Sequence, residues 1–183
     1  VFVIIFAAAE FSTGTIKNVA TKGFMREEIY FSKFICSIIA ALISAAGSFG
    51  LTYAAGAIVI GDQAPKAWDI PENFVRNIFI TFLIVIVYIA FSLMLAFIFR
   101  STGSSIGTFF VYITVFETLI FSKILPAILN PVVGEVDFKK YSMGGCLGLR
   151  SDDLMTRGLT VAFIYIIVCT LIGLFTFRKR DIN

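Results

Sequence analysis

One uninterrupted apolar run does most to limit what this chain can fold into. Residues 78–99 read IFITFLIVIVYIAFSLMLAFIF and contain no charged side chain. A helix of about 20 apolar residues crosses a hydrocarbon core of roughly 30 Å. The run is long enough to do so, and it therefore predicts a membrane-spanning helix.

Three further runs predict additional spans, and the composition agrees with them. They cover residues 34–60, 103–122 and 158–177, and 103–122 is the least apolar because it contains Glu117. The chain is 58% hydrophobic and 15% charged, whereas a soluble domain carries about 25% charged residues. We therefore predict an all-α integral membrane protein, a polytopic helical bundle that forms a single transmembrane domain over residues 1–183. The apolar stretch 1–9 is too short to span, and we expect it to be the end of a helix that begins upstream.

The distribution of basic residues predicts the orientation of the bundle. Alternation of the spans puts the stretch 10–33, the turn at 100–105 and the tail on one side. Eight of the 15 Lys and Arg residues lie there, in fewer residues than the seven on the other side. Because short cytoplasmic loops are rich in Lys and Arg, we place 10–33 in the cytoplasm. In the span 34–60, the small residues Ala46, Gly50 and Ala54 recur four apart, which predicts close packing on another span of this chain.

The sequence lacks the motifs of common enzyme classes. It contains no His, no G-x-x-x-x-G-K-[ST] phosphate loop, no G-x-S-x-G and no H-E-x-x-H. Its three Cys residues are not spaced as a metal or redox pair. We therefore predict no catalytic residue, no metal site and no cofactor bound by this chain, which is not expected to be an enzyme.

The polar stretch 10–33 is longer than a turn between two spans requires. Gly14 is expected to end the first helix, and Thr15 is a suitable N-cap for a short helix over 15–22. Gly23 suits the C-terminal stop of that helix. One face of the helix is apolar, through Ile16, Val19 and Ala20. The pattern predicts a short helix on the membrane surface that serves either as an anchor or as a docking element.

This stretch resembles the cytoplasmic loop of type-2 ABC transporter permeases, the six-helix membrane subunits of bacterial ABC exporters. The shared pattern is E-x-x-x-G-T-I-K-N followed by T-K-G-x-x-R-E-x-I-Y-x-S-K, and the tail FRKRDI at 177–182 is similar to the family's usual ending. Many members have Pro near the position of Gly23. The likeness extends over nearly all of the chain in the order of its spans. It implies the type-2 ABC exporter fold, with about five of the six spans present.

The resemblance also implies partners and a function. The helix at 15–22 would be a coupling helix that docks into a separate ABC ATPase subunit, where ATP and Mg would be bound. The implied docking residues are Thr15, Ile16, Lys17, Val19, Lys22, Gly23, Phe24 and Arg26. A second permease chain, identical or paralogous, would complete the path across the bacterial cytoplasmic membrane, and no nucleic acid is expected as a partner. The loop looks most like those of peptide-antibiotic exporters and immunity permeases, so the expected substrate is an amphipathic or hydrophobic peptide, toxin or drug.

The segment after the span at 103–122 carries two further expectations. Glu117 is expected near the outer interface, where it either lines the translocation path or pairs with a basic residue such as Lys123. Residues 122–134 are apolar, too short to span and interrupted by Pro126 and Pro131. The resemblance implies a re-entrant element here within the external loop 123–157, and an ordinary external loop is the alternative.

Two other functions remain open at this point. An ion-coupled secondary transporter or channel would require several ionisable residues inside the membrane, and Glu117 is the main candidate. A membrane scaffold without transport activity would not require a helix with glycine breaks at both ends.

Overall fold

Every secondary-structure element in the described part of the chain is helical. The structure is a computed structural model that describes residues 1–15, 23–60, 74–133, 138–144 and 152–179. In chain order the elements are α1 (Phe2–Ser12), α2 (Arg26–Ile60), α3 (Phe74–Phe99), α4 (Thr102–Val111), a π-helix (Tyr112–Ile124), α5 (Leu125–Val133), a 3-10 helix (Phe138–Tyr141) and α6 (Asp152–Lys179).

Four helical stretches are long and apolar enough to cross a membrane. They are Arg26–Val59, Ile78–Phe99, Thr102–Leu129 and Gly158–Lys179, and Phe2–Phe11 is a shorter apolar helix. The four stretches fall on the four predicted spans. The prediction of an all-α, membrane-embedded protein is therefore confirmed.

Helix α3 lies at the centre of the bundle. It packs against α1, α2, α4 and α6, and its most buried residues, such as Leu93 and Ala96, are fully enclosed. Other helices surround much of the charge-free run at 78–99, which explains why it is apolar on all sides. In the other candidate spans most residues are not buried inside the bundle.

Helix α2 joins the bundle through its first half, as far as Ala41. Ile29 and Tyr30 are buried, but the side chains from Leu42 to Val59 are exposed apart from the half-buried Gly56. The expectation that Ala46, Gly50 and Ala54 pack on another span of this chain is therefore wrong, because all three are exposed. An apolar helix of this length with so little internal contact requires lipid or another protein around it.

The structure fixes the ends of two segments. Helix α1 continues to Ser12, close to the expected end at Gly14, and α2 begins at Arg26, so the connection between them is 13–25, the central part of the polar stretch 10–33. Helical backbone continues from Thr102 through the π-helix to Val133, so residues 122–133 extend the preceding helix and do not form a separate re-entrant element. The π-helix ends at Ile124, just before Pro126. Proline has no amide hydrogen, so a regular α-helix would lose one backbone hydrogen bond at this position. The rest of the predicted loop 123–157 is described only at 138–144 and from 152 onward.

Candidate functional site at the loop end of the bundle

Four helices meet in an aromatic cluster at the end of the bundle from which the 13–25 connection leaves. We call this the loop end, and the loop-end cluster consists of Phe11 from α1, Tyr30 from α2, Phe97 from α3 and Phe177 from α6. The centroid of the Phe97 ring lies 5.4 Å from that of Phe11, 5.1 Å from that of Tyr30 and 4.7 Å from that of Phe177. Tyr30, Phe97 and Phe177 are almost completely buried. Each such pair stabilises a fold by about 0.5–1.5 kcal/mol beyond its buried area, so the cluster fixes the four helix ends to one another.

An ion pair joins α1 to α2 beside the cluster. The Lys33 ammonium donates a hydrogen bond to Glu10, and their side chains are 13% and 26% exposed. The same ammonium lies 4.1 Å from the centre of the Phe6 ring, which adds a cation–π contact. Removing one residue of a partly buried ion pair lowers the stability of the fold, because the charge of the other residue is then uncompensated.

Arg26 ties the start of α2 to the end of α6. Its guanidinium donates to the carbonyl oxygens of Phe177 and Arg178, at 3.2 and 2.8 Å. The last carbonyls of a helix lack partners within the helix, so a guanidinium here caps α6. Arg178 in turn lies 3.8 Å from the Glu27 carboxylate. These contacts connect the first turn of α2 to the end of α6.

The glycines on either side of the connection adopt the expected backbone. Gly14 has φ +70° just after α1, and Gly23 has φ +86° just before α2. Positive φ is favourable for glycine and strained for other residues, and Gly14 ends α1 as predicted. Whether Gly23 ends a helix over 15–22 stays a prediction, because residues 16–22 lie outside the described residues. The Met25 amide donates to the Glu28 carboxylate at 3.0 Å, one half of a capping box at the start of α2.

The predicted docking residues divide into three groups. The first group lies outside the described residues and consists of Ile16, Lys17, Val19 and Lys22; of the helix expected at 15–22, Thr15 alone is described. Thr15, Gly23 and Phe24 are exposed, and Phe24 and its neighbour Met25 are 56% and 67% exposed. Arg26 is half-buried and engaged with α6. The structure thus gives Arg26 a role inside the bundle and leaves Phe24 and Met25 as an apolar pair on its surface.

Glu117 lies away from the loop end, in the π-helix. Its Oε1 accepts hydrogen bonds from the Tyr88 hydroxyl at 3.1 Å and from the Gly144 amide at 2.9 Å. Among the ion pairs of the described residues there is none between Glu117 and Lys123. Tyr88 is at the middle of the Ile78–Phe99 stretch, and Glu117 lies within the Thr102–Leu129 stretch. The expectation that Glu117 lies near the outer interface stays a prediction.

Residues 138–144 return to the level of Glu117. Ser142 and Met143 are buried, and the Tyr141 carbonyl accepts a hydrogen bond from the Tyr165 hydroxyl at 3.4 Å. Irregular backbone at this depth is tolerated because protein covers it. Residues 138–144 therefore pack against the π-helix and α6. A Cβ at Gly144 would overlap the Glu117 carboxylate, and the Gly144–Gly145 pair was the sequence signal for such a close approach.

The described residues contain no group of three His, Cys, Asp or Glu side chains that could hold a metal ion. Comparison with known proteins gives one family model, described as a protein of unknown function (DUF2705), which matches residues 1–183. No curated protein and no solved structure matches the chain.

Proposed function

Because the chain belongs to the DUF2705 family, which is described only as being of unknown function, we propose a function from the geometry of the loop end. We propose that it is the permease subunit of an ATP-driven ABC exporter of the type-2 fold in the bacterial cytoplasmic membrane. It moves an amphipathic or hydrophobic peptide, toxin or drug. A separate ATPase subunit supplies the energy through the 13–25 connection.

One observation carries the proposal: the 13–25 connection leaves from a bundle end at which four helices are held together. The loop-end cluster joins α1, α2, α3 and α6, and Arg26 caps α6 from the first turn of α2. A connection that only turned the chain would not require these ties. With them, a displacement of the connection moves four helices together, which a transporter with its ATPase in another chain requires.

The exposed Phe24 and Met25 are the contact we assign to the ATPase subunit. They follow Gly23, and exposed aromatic and Met side chains are enriched where proteins bind one another. The exposed apolar length of α2, from Leu42 to Val59, offers a surface for the second permease chain. Glu117 keeps its proposed place on the path between the two chains.

The test is reconstitution with an ABC ATPase subunit from the same genome. The two proteins are purified together and placed in lipid vesicles, and ATP hydrolysis and export of a labelled hydrophobic peptide are measured. Phe24→Asp places a charge on the proposed contact and should abolish peptide-stimulated ATP hydrolysis and transport. Ser101→Asp is the control, since it adds the same charge at an exposed position in the turn before α4, outside the 13–25 connection. Coupled transport by Phe24→Asp at the normal rate, or failure of any ATPase to co-purify, would refute the proposal.

Glu117 favours one second candidate, an ion-coupled secondary transporter. A carboxylate held by Tyr88 at mid-span could carry a proton or a cation. That function predicts uptake or efflux driven by a pH or sodium gradient in vesicles that contain this chain alone. The exporter proposal predicts no such gradient-driven transport.

A further inference from the structure

A groove on the outside of α6 is the feature that the exporter proposal does not use. Its volume is 510 Å³, within the range of about 300–1,000 Å³ that ligand sites occupy. Its residues are Glu27 of α2 and Leu171, Ile172, Leu174, Phe175 and Arg178 of α6. Leu171, Ile172 and Phe175 are all exposed, so the groove opens away from the bundle, toward the lipid.

The groove has a charged end and an apolar length. Glu27 and Arg178 lie at the ends of candidate spans, whereas Leu171 lies seven residues earlier in α6, about 10 Å deeper. A phospholipid has the same layout, with a charged headgroup at the boundary and acyl chains below it. The charged end of the groove therefore lies where a headgroup would be, and its apolar walls lie where acyl chains would be.

The charges at the groove mouth select among headgroups. The closest approach of the Arg178 guanidinium to the Glu27 carboxylate is 3.8 Å, and the side chains are 78% and 58% exposed. This distance is longer than a hydrogen bond, so each group retains capacity for a ligand. A guanidinium binds a phosphate through paired N–H donors, and a carboxylate accepts hydrogen bonds from a primary ammonium. Glu27 would repel a headgroup whose only charges are negative.

We propose that this groove binds a phospholipid with a phosphoethanolamine headgroup, whose phosphate meets Arg178 and whose ammonium meets Glu27. The acyl chains lie along Leu171 and Phe175. A choline headgroup offers no N–H donor to Glu27, and a glycerol headgroup offers no positive charge. The site therefore ranks phosphatidylethanolamine above phosphatidylcholine and phosphatidylglycerol. This assignment does not depend on transport or on an ATPase partner.

The test is lipid competition on the purified chain without any partner. Equal amounts of dioleoyl phosphatidylethanolamine, phosphatidylcholine and phosphatidylglycerol are added in detergent, and bound lipid is counted by native mass spectrometry. Phosphatidylethanolamine adducts should dominate. Arg178→Gln should reduce them by about threefold to fivefold, the usual scale for one exposed charge contact. Glu27→Gln should do the same and raise phosphatidylglycerol binding.

Two further variants complete the test. Leu171→Trp fills the apolar part of the groove and should reduce binding of all three lipids, while size-exclusion chromatography reports whether each variant is folded. Lys123→Gln removes an exposed positive charge outside the groove and should leave the lipid ranking unchanged. Equal binding of the three lipids by the unaltered chain would overturn the proposal, and so would a ranking that Glu27→Gln and Arg178→Gln leave intact.

Discussion

Gly173→Ala places a methyl group at the contact between α6 and α2. Its Cβ would lie 2.8 Å from the Tyr30 hydroxyl oxygen and 2.9 Å from Cε2 of the same ring. Tyr30 is completely buried and packs on Phe97 at 5.1 Å, so the ring has no space into which it can withdraw. Overpacking of this kind costs about 1–3 kcal/mol, and the higher helix propensity of Ala offsets about 1 kcal/mol at most. We expect a net loss of about 1–2 kcal/mol.

The assay is thermal unfolding of the purified protein in detergent. For a chain of this size the loss corresponds to a decrease in Tm of about 2–8 °C. Gly50→Ala is the matched control, because a Cβ at Gly50 in α2 meets nothing within 4 Å, and it should leave Tm unchanged or raise it. Tyr30→Phe removes the hydroxyl, so it should recover part of the loss in the double variant. Equal Tm values for Gly173→Ala and Gly50→Ala would refute the reasoning.

Three further substitutions test the other contacts of the bundle. Arg26→Gln removes the guanidinium cap from α6 and should lower the free energy of unfolding by about 1–2 kcal/mol, with partial recovery in Arg26→Lys. Glu10→Gln leaves the half-buried Lys33 charge without its partner and should cost about 2 kcal/mol, much of which the exchange Glu10→Lys with Lys33→Glu should restore. Glu117→Ala removes the acceptor for the Gly144 amide and should speed hydrogen–deuterium exchange there, whereas Glu117→Gln keeps an acceptor oxygen and should have a smaller effect.

Each of these expectations has an outcome that contradicts it. An unchanged Tm for Arg26→Gln would mean that solvent caps α6 equally well. If the reversed pair at positions 10 and 33 were no more stable than Glu10→Gln alone, the ion pair would not be the cause of the loss. Slow exchange at Gly144 in Glu117→Ala would show that packing of Ser142 and Met143 is sufficient to hold the segment.

The sequence was most informative where the physical requirement is local. Span length follows from the apolar runs, and the break at Gly14 follows from the backbone freedom of glycine; both agree with the structure. The sequence did not show that Glu10 and Lys33, near the two ends of the polar stretch 10–33, form an ion pair that joins two helices. A local sequence pattern cannot show that a charged residue has its partner in a neighbouring helix.

The surroundings of Glu117 show the same limit. Tyr88 lies inside a run that predicts only a span, and Gly144 lies in a segment far along the chain. Their contacts with Glu117 depend on how three separate segments pack together. The periodicity of a sequence does not contain this information. Likewise, two prolines suggested a broken segment at 122–134, but the wide turns of the π-helix precede Pro126 without ending the helix.

The unequal embedding of α2 has a geometric consequence. Contacts between α2 and the bundle continue as far as Ala41, and the exposed end at Val59 lies about 27 Å beyond Ala41 along the helix axis. A change of about 10° in the direction of this exposed part, pivoting near Ala41, would move Val59 by about 5 Å. The second half of α2 could therefore change its tilt while the contacts of the first half with the bundle persist.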